Sequence, residues 1–143
     1  MMKNKRSILI LNFLPVLVAM ASLSAAHTQQ PAQTKQADQI PVMDGEAGPC
    51  SVEFTVTDAQ GKPLLNALIS VHIAYGLGGV RKLDTGLYTN AEGKGKFIGL
   101  PAKVHKPPLQ FRATKDDLAG IASYNPASEC QAKHSIVMEK KTK

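Results

Sequence analysis

A hydrophobic pattern with a period of two residues, beginning at Cys50, constrains this chain more than any other feature. Val52, Phe54 and Val56 alternate with polar residues, which is typical of a strand with one buried face. Strand patterns recur at 67–75, 86–89, 95–100, 109–114, 121–124 and 135–139. Gly, Pro, Asp and Asn separate them, as in turns. The sequence therefore predicts an all-β sandwich of about seven strands.

Residues 1–26 have the three parts of a secretory signal peptide. A basic start precedes an apolar stretch at 8–23, and small residues end at Ala26, where we expect cleavage. The alternative is an uncleaved membrane anchor, but the stretch is short for a hydrocarbon core of about 30 Å and contains Pro15. The pattern predicts a periplasmic or secreted bacterial protein.

The remaining chain divides by composition. Residues 27–47 are polar and contain Pro31 and Pro41, so we expect a flexible linker. The sandwich domain should span 48–140 and a basic tail 141–143. Removing the three basic residues of the signal peptide lowers the net charge from +6 to +3. So small a charge gives no reason to expect nucleic-acid binding.

The two cysteines lie just before the first and the last strand of the predicted sandwich. In an exported protein such a pair predicts a disulfide between Cys50 and Cys130. Their Cα atoms would then lie within roughly 7 Å, and the first and last strands, if adjacent, would run parallel. A redox pair or a thiolate metal site is the alternative, but the chain has no Cys-x-x-Cys motif.

Three segments resemble the carboxypeptidase regulatory-like domains, whose pattern is shared by transthyretin-like and bacterial Ig-like modules. They are Asp58-Ala-Gln-Gly-Lys-Pro-Leu64, Thr89–Pro101 with its Asn-x-x-Gly turn and Gly-Leu-Pro end, and Leu109–Ala113. The resemblance covers residues 50–139. It implies an Ig-like or transthyretin-like sandwich that binds other molecules without catalysis. The Tyr-Arg-Gly-Ser signature of 5-hydroxyisourate hydrolases is missing from residues 134–143.

The sequence shows no nucleophile elbow, so we predict no catalytic residues, no cofactor and no enzymatic activity. A candidate surface for an acidic partner consists of Arg81, Lys82, Lys94, Lys96, Lys103 and Lys106. The alternative is that these side chains provide solubility and protect an edge strand. The leading hypothesis is an exported, non-enzymatic binding or assembly module of the cell envelope. It would contact a protein or glycan partner through end loops 76–86 and 102–108, and a membrane only through an uncleaved signal segment.

The second hypothesis is a periplasmic carrier of a small molecule, copper or zinc. Its metal ligands would be His72, His105 and His134, because imidazole is a common ligand for both metals. No two of these histidines have ligand spacing on one element. The alternation places His72 on the outward face of its strand.

Overall fold

The computed structural model describes residues 39–142, which fold into eight strands and one short 3₁₀ turn. The strands are β1 (Val42–Asp44), β2 (Cys50–Asp58), β3 (Leu68–Tyr75), β4 (Arg81–Tyr88), β5 (Lys94–Leu100), β6 (Leu109–Lys115), β7 (Leu118–Tyr124) and β8 (Gln131–Lys140), and the 3₁₀ turn is Leu77–Gly79. The all-β prediction is confirmed, with eight strands rather than about seven. None of the described residues belongs to a helix long and apolar enough to cross a membrane. The predicted signal peptide, the predicted linker as far as residue 38, and Lys143 lie outside the described residues.

The eight strands form one sheet in the order β1-β5-β2-β8-β7-β6-β3-β4. This sheet folds over into a first layer (β1, β5, β2, β8) and a second layer (β7, β6, β3, β4). The two layers join where β7 pairs with β8 through two residue pairs, Leu118↔Lys140 and Ala119↔Glu139. At the opposite edge β1 approaches β4, so the sandwich is nearly closed.

Strand β1 lies within the last residues of the segment that the sequence predicts as a linker. It runs parallel to β5, with Val42 opposite Lys96 and Met43 opposite Phe97, and the N–H of Gly45 donates to the carbonyl of Ile98 at 2.9 Å. Met43 packs against the core. Three residues are too few to show an alternation, which is why the sequence does not predict this strand. The domain boundaries stay a prediction.

The core fills the space between the two layers, and three phenylalanines form its centre. Phe54 on β2, Phe97 on β5 and Phe111 on β6 are fully buried. The ring of Phe111, from the second layer, lies 4.6 Å from that of Phe54 and 5.1 Å from that of Phe97 between centroids. Aromatic side chains bury large apolar areas, so this cluster is a main contact between the layers.

Two side chains define the turns that the sequence predicts. Asp58 Oδ1 accepts the N–H groups of Gln60 and Lys62, each at 2.9 Å. Asn90 Oδ1 accepts the N–H groups of two residues of the next turn, Glu92 at 3.1 Å and Lys94 at 2.9 Å. Such bonds define Asx turns, which are a common turn type. Each of the two turns leads from one layer to the other, from β2 to β3 and from β4 to β5, so the motifs specify turns and not a protein family.

The predicted disulfide is confirmed. Cys50 and Cys130 are bonded, with their Cα atoms 4.6 Å apart. Strands β2 and β8 run parallel side by side, from the pair Ser51↔Gln131 to the pair Asp58↔Met138. The carbonyl of Cys130 accepts the N–H of Ser51 at 2.7 Å, so the covalent bond and the sheet ladder begin at the same point.

Replacing both cysteines with alanine is expected to lower the free energy of unfolding by about 4 kcal/mol, because the bridge spans 80 residues and removes that loop's entropy from the unfolded chain. Urea unfolding monitored by circular dichroism measures the loss. Wild-type protein in a reducing agent is the control, and its midpoint should approach that of the variant. A loss below about 1 kcal/mol would contradict the expectation.

Tyr124 makes the stability sensitive to alkaline pH. Its hydroxyl donates to the carbonyl of Cys130 at 3.0 Å, and burial, with a smaller effect of the Glu129 charge, raises the pKa of Tyr124 to about 12 from 10.0. The unfolded chain therefore releases this proton at lower pH than the folded chain. The resulting stability is complete below pH 10 and falls as the pH rises towards 12.

The expected result is that Tyr124→Phe removes this alkaline loss, whereas wild-type protein shows it. Urea midpoints measured from neutral pH up to pH 12 test the difference. The control is Tyr88→Phe, which changes an exposed ring and should leave the wild-type profile unchanged. Equal profiles for wild type and Tyr124→Phe would refute this cause.

Candidate functional site

Polar side chains from three neighbouring strands share the outer face of the second layer. In the register of β3 with β4, His72 lies opposite Asp84, and in the register of β3 with β6, Ser70 lies opposite Arg112. Their neighbours in sequence, such as Phe111, point into the core. Because side chains alternate along a strand, the buried pattern fixes these polar groups on the outside.

His72 and Asp84 form a hydrogen-bonded pair at the centre of this face. Nδ1 of His72 lies 2.5 Å from Oδ1 of Asp84. The carboxylate accepts the Nδ1 proton, which assigns the tautomer and leaves Nε2 as the proton acceptor. The side chains are 57% and 75% exposed respectively, so a molecule from solvent can reach the pair.

A cavity of about 330 Å³ lies beside this pair. Its lining consists of Ser70, Val71, His72, Asp84, Thr85, Gln110 and Arg112. The ladder between β3 and β6 has only three residue pairs and ends at Ser70↔Arg112. Gln110 Nε2 donates to Ser123 Oγ on β7 at 2.9 Å, which positions the amide on the cavity wall.

A second cavity, of about 370 Å³, also includes His72 in its lining, so the two cavities share this residue. Lys82, His105 and Lys106 contribute to this second lining. The N–H of His105 donates to the carbonyl of Ala74 at 2.8 Å, which holds the loop between β5 and β6 against the end of β3. Gly79 has a φ of +71°, and a Cβ there would come within 2.7 Å of the His105 ring. The close approach of the two loops therefore requires glycine.

The two cavities carry an excess of positive charge. Within residues 39–142, Lys82, Lys106 and Arg112 have no carboxylate within ion-pairing distance. Asp84 is the one carboxylate in the two linings, and its oxygen is bonded to His72. A small anion would therefore meet three cations and a single carboxylate, whose Oδ1 is already bonded to His72.

The structure brings together only some of the residues that the sequence nominates. His72, Lys82, His105 and Lys106 line one cavity. Arg81 is exposed at the start of β4, and Lys103 is exposed in the loop that contains His105.

The other nominated residues lie away from this face. Lys94 pairs with Glu92 at 2.8 Å, and Lys96 lines a separate cavity on the first layer with Glu53 and Lys133. His134 is on β8, where its Nε2 lies 3.1 Å from Oε2 of Glu129. The six basic residues therefore do not form one surface.

The structure does not bring together the three histidines of the alternative metal site. His72 and His105 share a cavity on the second layer, but His134 belongs to β8 of the first layer. No group of three His, Cys, Asp or Glu side chains among the described residues is arranged to hold a metal ion. The three histidines that the copper or zinc carrier hypothesis names therefore do not share one cavity.

The sequence alone does not indicate Ser70, Asp84, Gln110 and Arg112 as site residues. The predicted third strand begins at residue 86, whereas β4 begins at Arg81, so the prediction places Asp84 in a loop. The available signal was the outward position of His72 and Arg112 in their alternating segments. Only the strand register shows that these residues are neighbours.

Similarity to known proteins is found among solved structures, and it is weak. No protein-family model matches the chain, and no curated protein is similar to it in sequence. Among solved structures, it is similar to a hydroxyquinol 1,2-dioxygenase from Pseudomonas putida DLL-E4, with a TM-score of 0.49 and 11% identity over 73% of this chain and 63% of that one. It is also similar to a 3-chlorocatechol 1,2-dioxygenase from Rhodococcus opacus 1CP (TM-score 0.44, 14% identity, 71% and 64% covered). A third is a catechol 1,2-dioxygenase from Acinetobacter sp. ADP1 (TM-score 0.45, 11% identity, 73% and 60% covered).

These findings correct two predictions. The resemblance to carboxypeptidase regulatory-like and transthyretin-like domains is wrong as a family assignment, because the similar solved structures are dioxygenases. The prediction of a non-enzymatic binding or assembly module is also wrong, since those structures are enzymes. The chain spans only 60% to 64% of their length, and no residue of theirs is carried over to it.

Proposed function

We propose that the outer face of the second layer is an acid–base catalytic site that hydrolyses a small anionic ester. His72 transfers the proton, Asp84 orients the imidazole, and Lys82, Lys106 and Arg112 hold the anionic group of the substrate. The observation that carries the proposal is the 2.5 Å contact between His72 and Asp84 beside two cationic cavities that share His72.

The His72–Asp84 pair has the arrangement that a general base needs. A carboxylate on Nδ1 holds one tautomer and stabilises the imidazolium that forms when Nε2 takes a proton. The rigid ladder between β3 and β4 supports both residues, which are directly opposite each other. The imidazole therefore keeps its direction without a buried environment.

The cations around His72 select the substrate. Arg112 presents a planar guanidinium, which matches a carboxylate or a phosphate in bidentate geometry. Lys82 and Lys106 supply charge on the other side of the imidazole. The substrate would lie across His72, with its anionic group on the cations and its ester bond near Nε2.

Water is the nucleophile in this proposal. Ser70 Oγ lies 3.5 Å from the carbonyl oxygen of Arg112, and no hydrogen bond joins Ser70 to His72 in the described part of the chain. His72 Nε2 takes a proton from water as the water oxygen bonds to the ester carbonyl carbon. The same proton then passes to the alcohol oxygen as its bond to that carbon breaks.

A carboxylate-bearing 4-nitrophenyl ester and its neutral counterpart test the proposal. Wild-type protein should hydrolyse the anionic ester faster, and His72→Gln should lower kcat at least about 100-fold, the usual contribution of a general base. Arg112→Gln should raise KM for the anionic ester and leave the rate on the neutral ester unchanged. Release of 4-nitrophenolate is the measurement.

The matched control is His134→Gln. This histidine also contacts a carboxylate, that of Glu129 at 3.1 Å, but it lies on the first layer. Its replacement should leave kcat within about twofold. Equal losses in the two histidine variants, or an inactive wild-type protein, would refute the proposal.

We also infer that the protein is exported. The signal-peptide pattern of residues 1–26 and the Cys50–Cys130 bond support this placement, since disulfides persist in oxidising compartments. The intact mass of protein isolated from the cell envelope should correspond to a chain that begins at His27. A mass that includes residues 1–26 would instead indicate a retained anchor.

A further inference from the structure

We propose that the turn between β3 and β4 docks the domain on an anionic lipid bilayer. The docking loop, Gly76–Val80, presents Leu77 with 94% and Val80 with 78% of its surface exposed. These are the two most exposed of the large apolar residues in the described part of the chain. The inference goes beyond the proposed hydrolysis and does not depend on His72.

The backbone of the docking loop holds these two side chains outward. Gly76, Gly78 and Gly79 have φ angles of +76°, +64° and +71°, a region that side chains disfavour. The 3₁₀ turn Leu77–Gly79 follows directly from β3. The loop is therefore a short, defined projection at one end of the sandwich.

A second loop at the same end adds further apolar surface. The loop between β5 and β6 pairs with the end of β3 through the bridge Tyr75↔Val104. Leu77, Ala102 and Val104 line a shallow cavity of about 510 Å³, together with residues 47–49 of the connection between β1 and β2. Apolar tips of this kind enter the boundary between headgroups and acyl chains.

The charge around the apolar tip fits an anionic surface. Arg81, Lys82, Lys103 and Lys106 are all exposed beside the two loops. The segments 76–83 and 99–115 contain no Asp or Glu. Apolar tips surrounded by cations bind anionic bilayers through combined burial and electrostatic attraction. This charge complementarity distinguishes a lipid surface from a neutral partner.

Vesicle co-sedimentation of the folded domain tests the inference. Wild-type protein should bind phosphatidylcholine vesicles that contain phosphatidylglycerol and should not bind vesicles of phosphatidylcholine alone. Leu77→Ser combined with Val80→Ser should weaken binding about tenfold or more, because it removes the apolar insertion. Arg81→Gln combined with Lys103→Gln should weaken binding and reduce its salt dependence.

The matched control is Leu65→Ser combined with Val137→Ser, which changes two exposed apolar residues away from the docking loop and should preserve binding. Unchanged vesicle binding in the Leu77/Val80 variant would overturn the inference. Complete loss of vesicle binding in the presence of inorganic phosphate would also overturn it, because a site for the lipid headgroup alone would then account for the binding. A third contrary result is that wild-type protein self-associates without vesicles and that the Leu77/Val80 variant loses this self-association. That result would also overturn the inference, because it would identify a second copy of the chain as the partner.

Measuring ester hydrolysis together with vesicle binding in the same variants separates this inference from the proposed function. The Leu77/Val80 variant should retain wild-type hydrolysis of the soluble anionic ester, since neither side chain holds the substrate. His72→Gln should bind vesicles as wild type does. Failure of vesicle binding with intact hydrolysis would therefore overturn the docking inference alone.

Discussion

The parallel ladder between β2 and β8 is the interaction on which the rest of the structure depends. This ladder joins the three strands β1, β5 and β2 to the other five strands of the sheet. Its loss would therefore divide the sheet into two parts. The paired residues lie about 80 positions apart, and bringing them together costs loop entropy. The Cys50–Cys130 bond begins this ladder and offsets that cost, because it also restricts the unfolded chain.

The core then determines the geometry of the candidate site. On β6, Phe111 is buried between Gln110 and Arg112, which point outward. A register shift of one residue would expose Phe111 and bury the guanidinium, at a large cost in free energy. The same holds for β3, where buried Val71 precedes outward His72. Packing in the interior therefore positions the polar groups on the outer face.

The difference between what the sequence predicts and what it misses has a physical cause. Some features depend only on residues close together in the sequence, such as the alternation in β2 and β6 and the Asx turns at Asp58 and Asn90. The all-β class and most strands can therefore be predicted from the sequence. The disulfide prediction follows from two cysteines in a chain whose first 26 residues have the pattern of a signal peptide. The His72–Asp84 pair depends on strand register, which a three-dimensional core decides, and β1 depends on an edge that β5 supplies. The family resemblance failed because turn chemistry is common to many antiparallel sheets.

The candidate site and the docking loop are close together, because both lie near the end of β3. A Cβ at Gly79 would come within 2.7 Å of the His105 ring, and the N–H of His105 donates to the carbonyl of Ala74. A bilayer in contact with Leu77 would therefore lie close to the cavity that contains Lys82 and His72. The cations of that cavity would experience the negative potential of the surface, which extends about one Debye length.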